Sequence, residues 1–317
     1  MEGNWKAYIF ALVLGVAVPW MVCALGGGSL TPAPTCEEIH ITVSEEKQTP
    51  TIAVLMQDKT QQMPLTEYLT GVILGELPAD FAFEAKKAQA VVARTYALRI
   101  ASGDRHAGAV CTDSGCCQSY RDPTVADAKA VQEARQAVLE TEAMVLTYGG
   151  KLIDATYFSC SGGVTEDAVA VWGTEIPYLQ SVASPGEEHA AHYSDTVSFT
   201  FAAFQSALQR DLPEDRSQWL GTVNYTDSGS VASMIIGGVS YEGTQLRKLL
   251  GLRSTVFEMC MEEDAVVVRT KGFGHRVGMS QYGADAMART GSDFARILSH
   301  YYQGVKLETD WYELTNP

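Results

Sequence analysis

Between Gly71 and Leu77 the chain places one acid, Glu76, among Val72, Ile73, Leu74, Gly75 and Leu77. A carboxyl group held among apolar neighbours has its charged form disfavoured and its pKa raised, so it can act as a general acid near neutral pH. The plainer use of such a residue is a cap or an ion pair at a helix end. The Ala-rich stretch that follows, Phe83 to Ala101, embeds Gln89 and Arg94 among residues of core type. Small residues let a helix approach its neighbours, and buried amides and guanidinium groups need partners. A second group gathers His106, Cys111, Cys116 and Cys117 in one loop. Imidazole and thiolate are the donors of tetrahedral zinc, whereas a disulfide is the use an oxidising compartment favours for the same thiols. The residues alone leave both open. A third group, in GFGHRVGMSQYGA, offers His275, Ser280, Gln281 and Tyr282, which can orient a sugar through hydrogen bonds and stacking. Neither Ser161 nor Ser280 sits in a G-x-S-x-G elbow, so a serine nucleophile with His275 as base is disfavoured.

Three runs of sequence carry a resemblance: GVILGELP with EAKKAQAVVARTYAL, YFSCSGGVTED with VWG and YLQSV, and GFGHRVGMSQYGADAMARTG with ILSHYYQG. Together they resemble the stage II sporulation protein D family, lytic transglycosylases of peptidoglycan, over most of the chain after Pro64. The resemblance implies that Glu76 is catalytic and that Gln89, Arg94, Gln118, Tyr157, Ser159, Ser161, Trp172, His275, Ser280, Gln281 and Tyr282 serve the glycan. It also implies zinc on His106, Cys111 and Cys117, with Cys116 able to replace Cys117; the His106 to Cys111 spacing is one residue shorter than the family form. Arg276 stands where the family motif usually has glycine, which predicts a bulky cation beside the site. Implied partners are glycan strands stripped of stem peptides, a cell-wall amidase and a multi-spanning membrane protein of the engulfment complex.

Hydrolytic glycosidases generally need two carboxylates. One suffices if the substrate brings its own nucleophile: the acid protonates the glycosidic oxygen, then as carboxylate takes the proton of the C6 hydroxyl of N-acetylmuramic acid as that oxygen closes onto C1. Glu67 and Glu84 lie on more polar stretches and suit solvent or lysine pairs. Two other classes compete. One is a glycan-binding enhancer of an amidase, for which an acid in an apolar setting has no use. The other is a zinc amidase or peptidase centred on the cysteine loop, against which stands the structural habit of thiolate-rich sites.

The elements that must position these groups read as α+β, with mixed helices and short antiparallel strands in one elaborate extracytoplasmic domain over 51–317. The pattern predicts a strand over Thr51 to Met56 and, opened by Pro64, a helix from Leu65 that carries Glu76 near its C-terminal end, where Pro78 stops it. Asp80 is the expected N-cap of the Ala-rich helix, and Asp122 or Thr124 that of a helix from Val125 to Glu140. Gly149 and Gly150 predict a hairpin joining 144–148 to 152–158. Helices are expected over Phe199 to Leu212, 243–250, Gln281 to Arg289 and Phe294 to Tyr302, and strands over 223–226, 231–236 and 266–269.

No charge occurs from Ala7 to Leu30, so 1–30 reads as a single-pass anchor and 31–50 as a linker. Lys6 before the apolar run and no basic residue until Lys47 place the N-terminus in the cytoplasm and the catalytic domain outside the cell membrane. A cleaved signal peptide is the rival, but no small-x-small site follows the run. A net charge of -15 on 317 residues excludes a basic nucleic-acid surface and a polybasic lipid patch, while 46% hydrophobic content is globular.

Overall fold

The computed structural model of the chain describes residues 50–311; the expected anchor and almost all of the expected linker lie outside them. Among the described residues no helix is long and apolar enough to cross a membrane. Strand β1 (Thr51–Met56) turns through Gln57 and Asp58, both at positive φ, into β2 (Lys59–Pro64). β2 was not expected: KTQQMP has no apolar alternation and forms a mostly exposed edge. Helix α1 (Leu65–Glu76) follows Pro64 as anticipated and buries Leu65, Tyr68, Leu69, Val72 and Ile73. Helix α2 (Phe83–Ala101) begins after Ala82, not at an Asp80 cap; the Ala82 N–H donates instead to Asp285 Oδ1 at 2.7 Å. Its buried alanines at 85, 88, 90, 93 and 97 let neighbouring helices pack closely.

Strand β3 (Val110–Cys111) runs parallel to β1. Helix α3 (Ala128–Glu140) starts later than the sequence suggested, because Asp127 caps Lys129 and Ala130 while Asp122 caps only the short turn at Pro123–Val125. β4 (Val145–Tyr148) and β5 (Lys151–Leu152) form the Gly149–Gly150 hairpin, with both glycines at positive φ. The second arm stops at Leu152. β6 (Tyr157–Phe158) leaves it to pair in parallel with a strand near the C-terminus, so the sheets are not all antiparallel. A short helix, α4 (Ala168–Trp172), completes this part.

Residues 194–271 then build a second core. β7 (Ser194–Thr200) takes the first residues of the helix expected from Phe199, since alternate half-buried residues make a strand there and Thr200 caps α5 (Phe201–Leu208). β8 (Leu220–Tyr225), β9 (Val231–Ile236) and β10 (Val239–Glu242) form one sheet, and β7 joins β11 (Val256–Met261) and β12 (Ala265–Lys271) in another. Helix α6 (Gly243–Leu249) packs Leu246 among Phe204, Trp219, Ile236 and Val268.

The chain returns to the first core as β13 (Met279–Ser280), α7 (Gln281–Arg289), α8 (Phe294–Tyr301) and β14 (Lys306–Glu308). β13 is the partner of β6 and β14 extends β4, so the core that carries Glu76 is closed by the C-terminal segment. Mixed α+β architecture is therefore what the described residues adopt.

Candidate active site around Glu76

Glu76 is the last residue of α1. Two glycines about one helical turn apart, Gly71 and Gly75, decide what lies against that helix. A Cβ at Gly71 would run into the ring of Tyr120, and one at Gly75 would come within 2.8 Å of the Tyr120 nitrogen and 2.9 Å of the Ser119 carbonyl carbon. Their absence lets the 118–121 segment close on the helix, and the Ser119 N–H donates to Glu76 Oε1 at 2.6 Å.

Two other segments converge on the same carboxyl group. The Tyr157 hydroxyl, from β6, donates to Oε1 at 3.0 Å, and Gln281 Nε2, from α7, donates to Oε2 at 3.1 Å. Behind Tyr157 the relay continues: Gln118 Nε2 donates to the Tyr157 hydroxyl at 3.1 Å, and the Tyr68 hydroxyl donates to Gln118 Oε1 at 3.0 Å. Burial pushes the pKas of both tyrosines up, so they stay neutral donors. Burial also raises the pKa of Glu76, against the opposing pull of Ser119, Gln281 and Tyr157. Its place at a helix C-terminus acts in the same direction as burial. The result is a carboxyl group that protonates readily yet has three donors ready for its anion.

Glu76 opens onto a cleft of about 620 Å³ lined also by Tyr157, Ser159, Arg247, His275 and Gln281. Among the described residues that line it, Glu76 is the one carboxylate. His275 Nδ1 accepts the Val277 N–H at 3.2 Å, and its ring packs 5.6 Å from both Phe158 and Trp172. Burial, then the Arg247 charge, lowers its pKa to about 4, so the imidazole is neutral.

The cysteine loop forms another wall, through Cys116 and Cys117. Donor atoms of His106, Cys111, Cys116 and Cys117 all lie within 4.8 Å of one another, and the three thiols are free. One imidazole and three thiols at that separation fit a closed tetrahedral set with Zn–S bonds of about 2.3 Å. His106 and Ala107 both hold positive φ, at 48° and 54°, a conformation that costs a non-glycine residue on the order of 1 kcal/mol and that a bound ion would offset. The cluster can therefore hold a metal ion, with Cys116 added to the three expected ligands.

A family model described as "Stage II sporulation protein" matches residues 56–148. Stage II sporulation protein D of Bacillus subtilis is 38% identical over 260 residues, covering 78% of this chain and 75% of that protein. The chain belongs to the stage II sporulation protein D family. The Bacillus amyloliquefaciens protein of the same name is likewise 38% identical over 260 residues, with 78% and 75% covered. An amidase enhancer of Bacillus subtilis is 28% identical over 292 residues, which is 75% of this chain but 40% of the enhancer.

The residues expected to serve the glycan in this sporulation protein D fold fall into three groups. Tyr157, Ser159, His275 and Gln281 line the cleft with Glu76. Trp172, 42% exposed, lies one ring away beside His275 and lines two neighbouring hollows instead. The others are occupied elsewhere. Gln118 is buried in the relay behind Tyr157, and Arg94 is buried with its guanidinium on the carbonyls of Val138 and Met144. Ser161 is buried against Glu187, Ser280 is the buried N-cap of α7, and Tyr282 packs edge-on against Phe81. Gln89 is also fully buried, and neither of its amide atoms has a hydrogen-bond partner among the described residues. Gln89, Arg94, Ser161 and Ser280 are fully enclosed, and none of them lines the cleft.

Arg276 is a second correction. It holds the positive φ of 67° that explains why a glycine suits the position, and its side chain turns away from the cleft. The buried guanidinium donates to the carbonyls of Ser161 (2.8 Å), Val164 (2.6 Å) and Ser228 (3.1 Å) and to the Ser230 hydroxyl, with Glu166 at 3.5 Å. It pins the second core to the first. Sequence reasoning missed Ser119, Tyr68 and Arg247. Ser119 acts through its backbone and so carries no residue signal; Tyr68 reads as core, and Arg247 as one charge on a short polar helix.

Proposed function

We propose that the protein is a lytic transglycosylase that cleaves peptidoglycan glycan strands between N-acetylmuramic acid and N-acetylglucosamine, leaving 1,6-anhydro ends. The observation that carries this reading is a single carboxyl group, raised in pKa and held by three donors, in a cleft with no second carboxylate among its described lining. Hydrolysis would need a second carboxylate to activate water. An intramolecular nucleophile does not.

Oε2, whose partner is the Gln281 amide, carries the proton, because Oε1 already accepts from Ser119 and Tyr157. Glu76 gives that proton to the glycosidic oxygen as the C1–O bond breaks. The carboxylate left behind is stabilised by the same three donors. It then takes the proton of the C6 hydroxyl while that oxygen bonds to C1, which regenerates the acid. Tyr157 and Gln281 fix the carboxyl plane, and Ser159 and His275 shape the wall beside it.

Zinc on His106, Cys111, Cys116 and Cys117 belongs to the same reading. A bound zinc ion with four protein donors is structural and keeps no open position. Its loop leads directly into Gln118 and Ser119, which serve Glu76. Septal wall remodelling during sporulation, an anchor over 1–30 with the body outside the membrane, and association with an amidase and a multi-spanning membrane protein complete the proposal.

Incubating the full-length protein with glycan strands stripped of stem peptides and weighing the products tests it. Anhydro ends are expected, and reducing ends would overturn the mechanism. The likeness to an amidase enhancer favours a second reading, glycan binding without cleavage. Intact binding with no new ends would select it.

A further inference from the structure

Arg247 lines the Glu76 cleft although it belongs to the other core. Its helix α6 is anchored there by Leu246 and followed by Leu250, both buried in that core. Arg247 Nε donates to the Arg253 carbonyl at 3.2 Å, and the same carbonyl accepts the Gly274 N–H at 3.0 Å, beside His275. The stem is thus tied to the cleft wall. The two terminal nitrogens of the guanidinium, by contrast, have no hydrogen-bond or ion-pair partner among the described residues. Burial lowers the pKa of Arg247, and no acid offsets it.

Other buried arginines differ in this respect. Arg94 and Arg276 fill their forks with backbone carbonyls, and Arg276 adds Glu166. A half-desolvated guanidinium that faces a cleft with its fork empty is built for a planar anion. On a glycan strand the hydroxyl and N-acetyl groups are neutral. The anion that the sugar backbone itself carries is the carboxylate of the lactyl ether on muramic acid, and it is free only where the stem peptide has been removed; otherwise it is an amide. We propose that Arg247 binds this free lactyl carboxylate and is the residue by which the cleft selects stripped muramic acid. The inference rests on the glycan reading of the cleft and adds to it the residue that sets specificity.

Binding by full-length protein carrying Glu76→Gln, in which cleavage is expected to be at least about 10²-fold slower, separates the two. The probes are a labelled stripped glycan oligomer and the same oligomer after its carboxylates are converted to carboxamides. With Arg247 intact, the carboxylate form binds about 10- to 100-fold more tightly, and raising the salt concentration narrows the gap. Adding Arg247→Gln brings the ratio close to one. Arg247→Lys, which keeps the charge without the fork, retains part of it and covers the case of a glutamine variant that does not fold. Equal binding of both probes with Arg247 present, or a ratio that survives Arg247→Gln, overturns the proposal. So does a preference that follows stem-peptide carboxylates, seen as peptide-bearing strands binding as tightly as stripped ones and losing as much in Arg247→Gln. Discrimination in the Glu76→Gln variant together with a wild type that makes no ends would sink the lyase reading and leave Arg247 in place. Anhydro ends without discrimination would do the reverse.

Discussion

The backbone N–H of Ser119 meets Oε1 of Glu76 at 2.6 Å across 43 residues of chain, with Gly75 directly between the two segments. The contact exists because helix α1 has no side chain at Gly75. It links the cysteine loop to the acid, since Cys117 lies two residues before Ser119.

Gly75→Ala tests that link. On an open helix this change would stabilise by about 1 kcal/mol, but here the added methyl meets the Ser119 and Tyr120 backbone. The 118–121 segment must move away, taking the Ser119 donor with it. Glycan turnover is expected to fall roughly 10-fold or more, the scale of one lost charge-assisted hydrogen bond. Steady-state turnover beside a melting curve decides the point: full turnover would mean that Ser119 does not matter to Glu76.

Glu76→Gln should lower turnover by about 10²-fold or more while the protein stays folded. Its stability has a sign of its own. The folded pKa of Glu76 lies above the ordinary 4.5, so the folded wild type holds a proton that the unfolded chain has lost, and stability declines as pH rises from 4.5 through the folded value. Glutamine does not titrate. The variant should therefore melt at or above the wild-type temperature near neutral pH, with the gap closing below pH 4.5. A variant that melts well below wild type at pH 7 would contradict the burial argument.

For the cysteine loop, metal analysis of the purified full-length protein should find about one zinc per chain, and chelation should lower both the melting temperature and turnover. Cys116→Ser and Cys117→Ser should each weaken metal retention, because both thiols are within reach of His106 and Cys111. Reducing agent alone should change little. Metal-free protein whose mass reports a disulfide between Cys111 and Cys117 would refute the zinc site.

That Glu76 would sit partly buried at the end of α1 was legible because an acid in an apolar run is costly, and the extents of α1 and α2 were legible from Pro64, Pro78 and the run of small residues, though not the cap of α2. The roles of Gln89, Arg94, Ser161 and Ser280 were not. The same residue types bind sugars or satisfy buried backbone, and the choice depends on which carbonyl lies across the fold, as Val138 and Met144 do for Arg94. The start of α5 was misplaced for a similar reason: whether Phe199 is strand or helix is settled by the pairing of β7 with β12, a partner found some 70 residues away. Residues that act through backbone atoms, such as Ser119 and Arg253, leave no pattern in sequence at all.

His275 supplies the last test. Val277 occupies its Nδ1, two aromatic rings flank it, and its pKa of about 4 lies below the ordinary 6.5. The folded state thus binds fewer protons than the unfolded chain between those values. Its stability contribution is fully present above pH 6.5 and is lost as pH falls toward 4, by on the order of 3 kcal/mol. Glu76 acts in the opposite sense over part of this range, so the measurement belongs in the Glu76→Gln background. There, melting temperature should decline from pH 6.5 to 4, and adding His275→Gln should flatten the decline. In the wild type, His275 should add no limb of its own to glycan turnover, because the imidazole stays neutral; the limb that does appear belongs to Glu76, whose pKa is raised. An NMR titration of the His275 ring with a midpoint near 6.5 would show a solvated, protonatable imidazole and would remove both expectations.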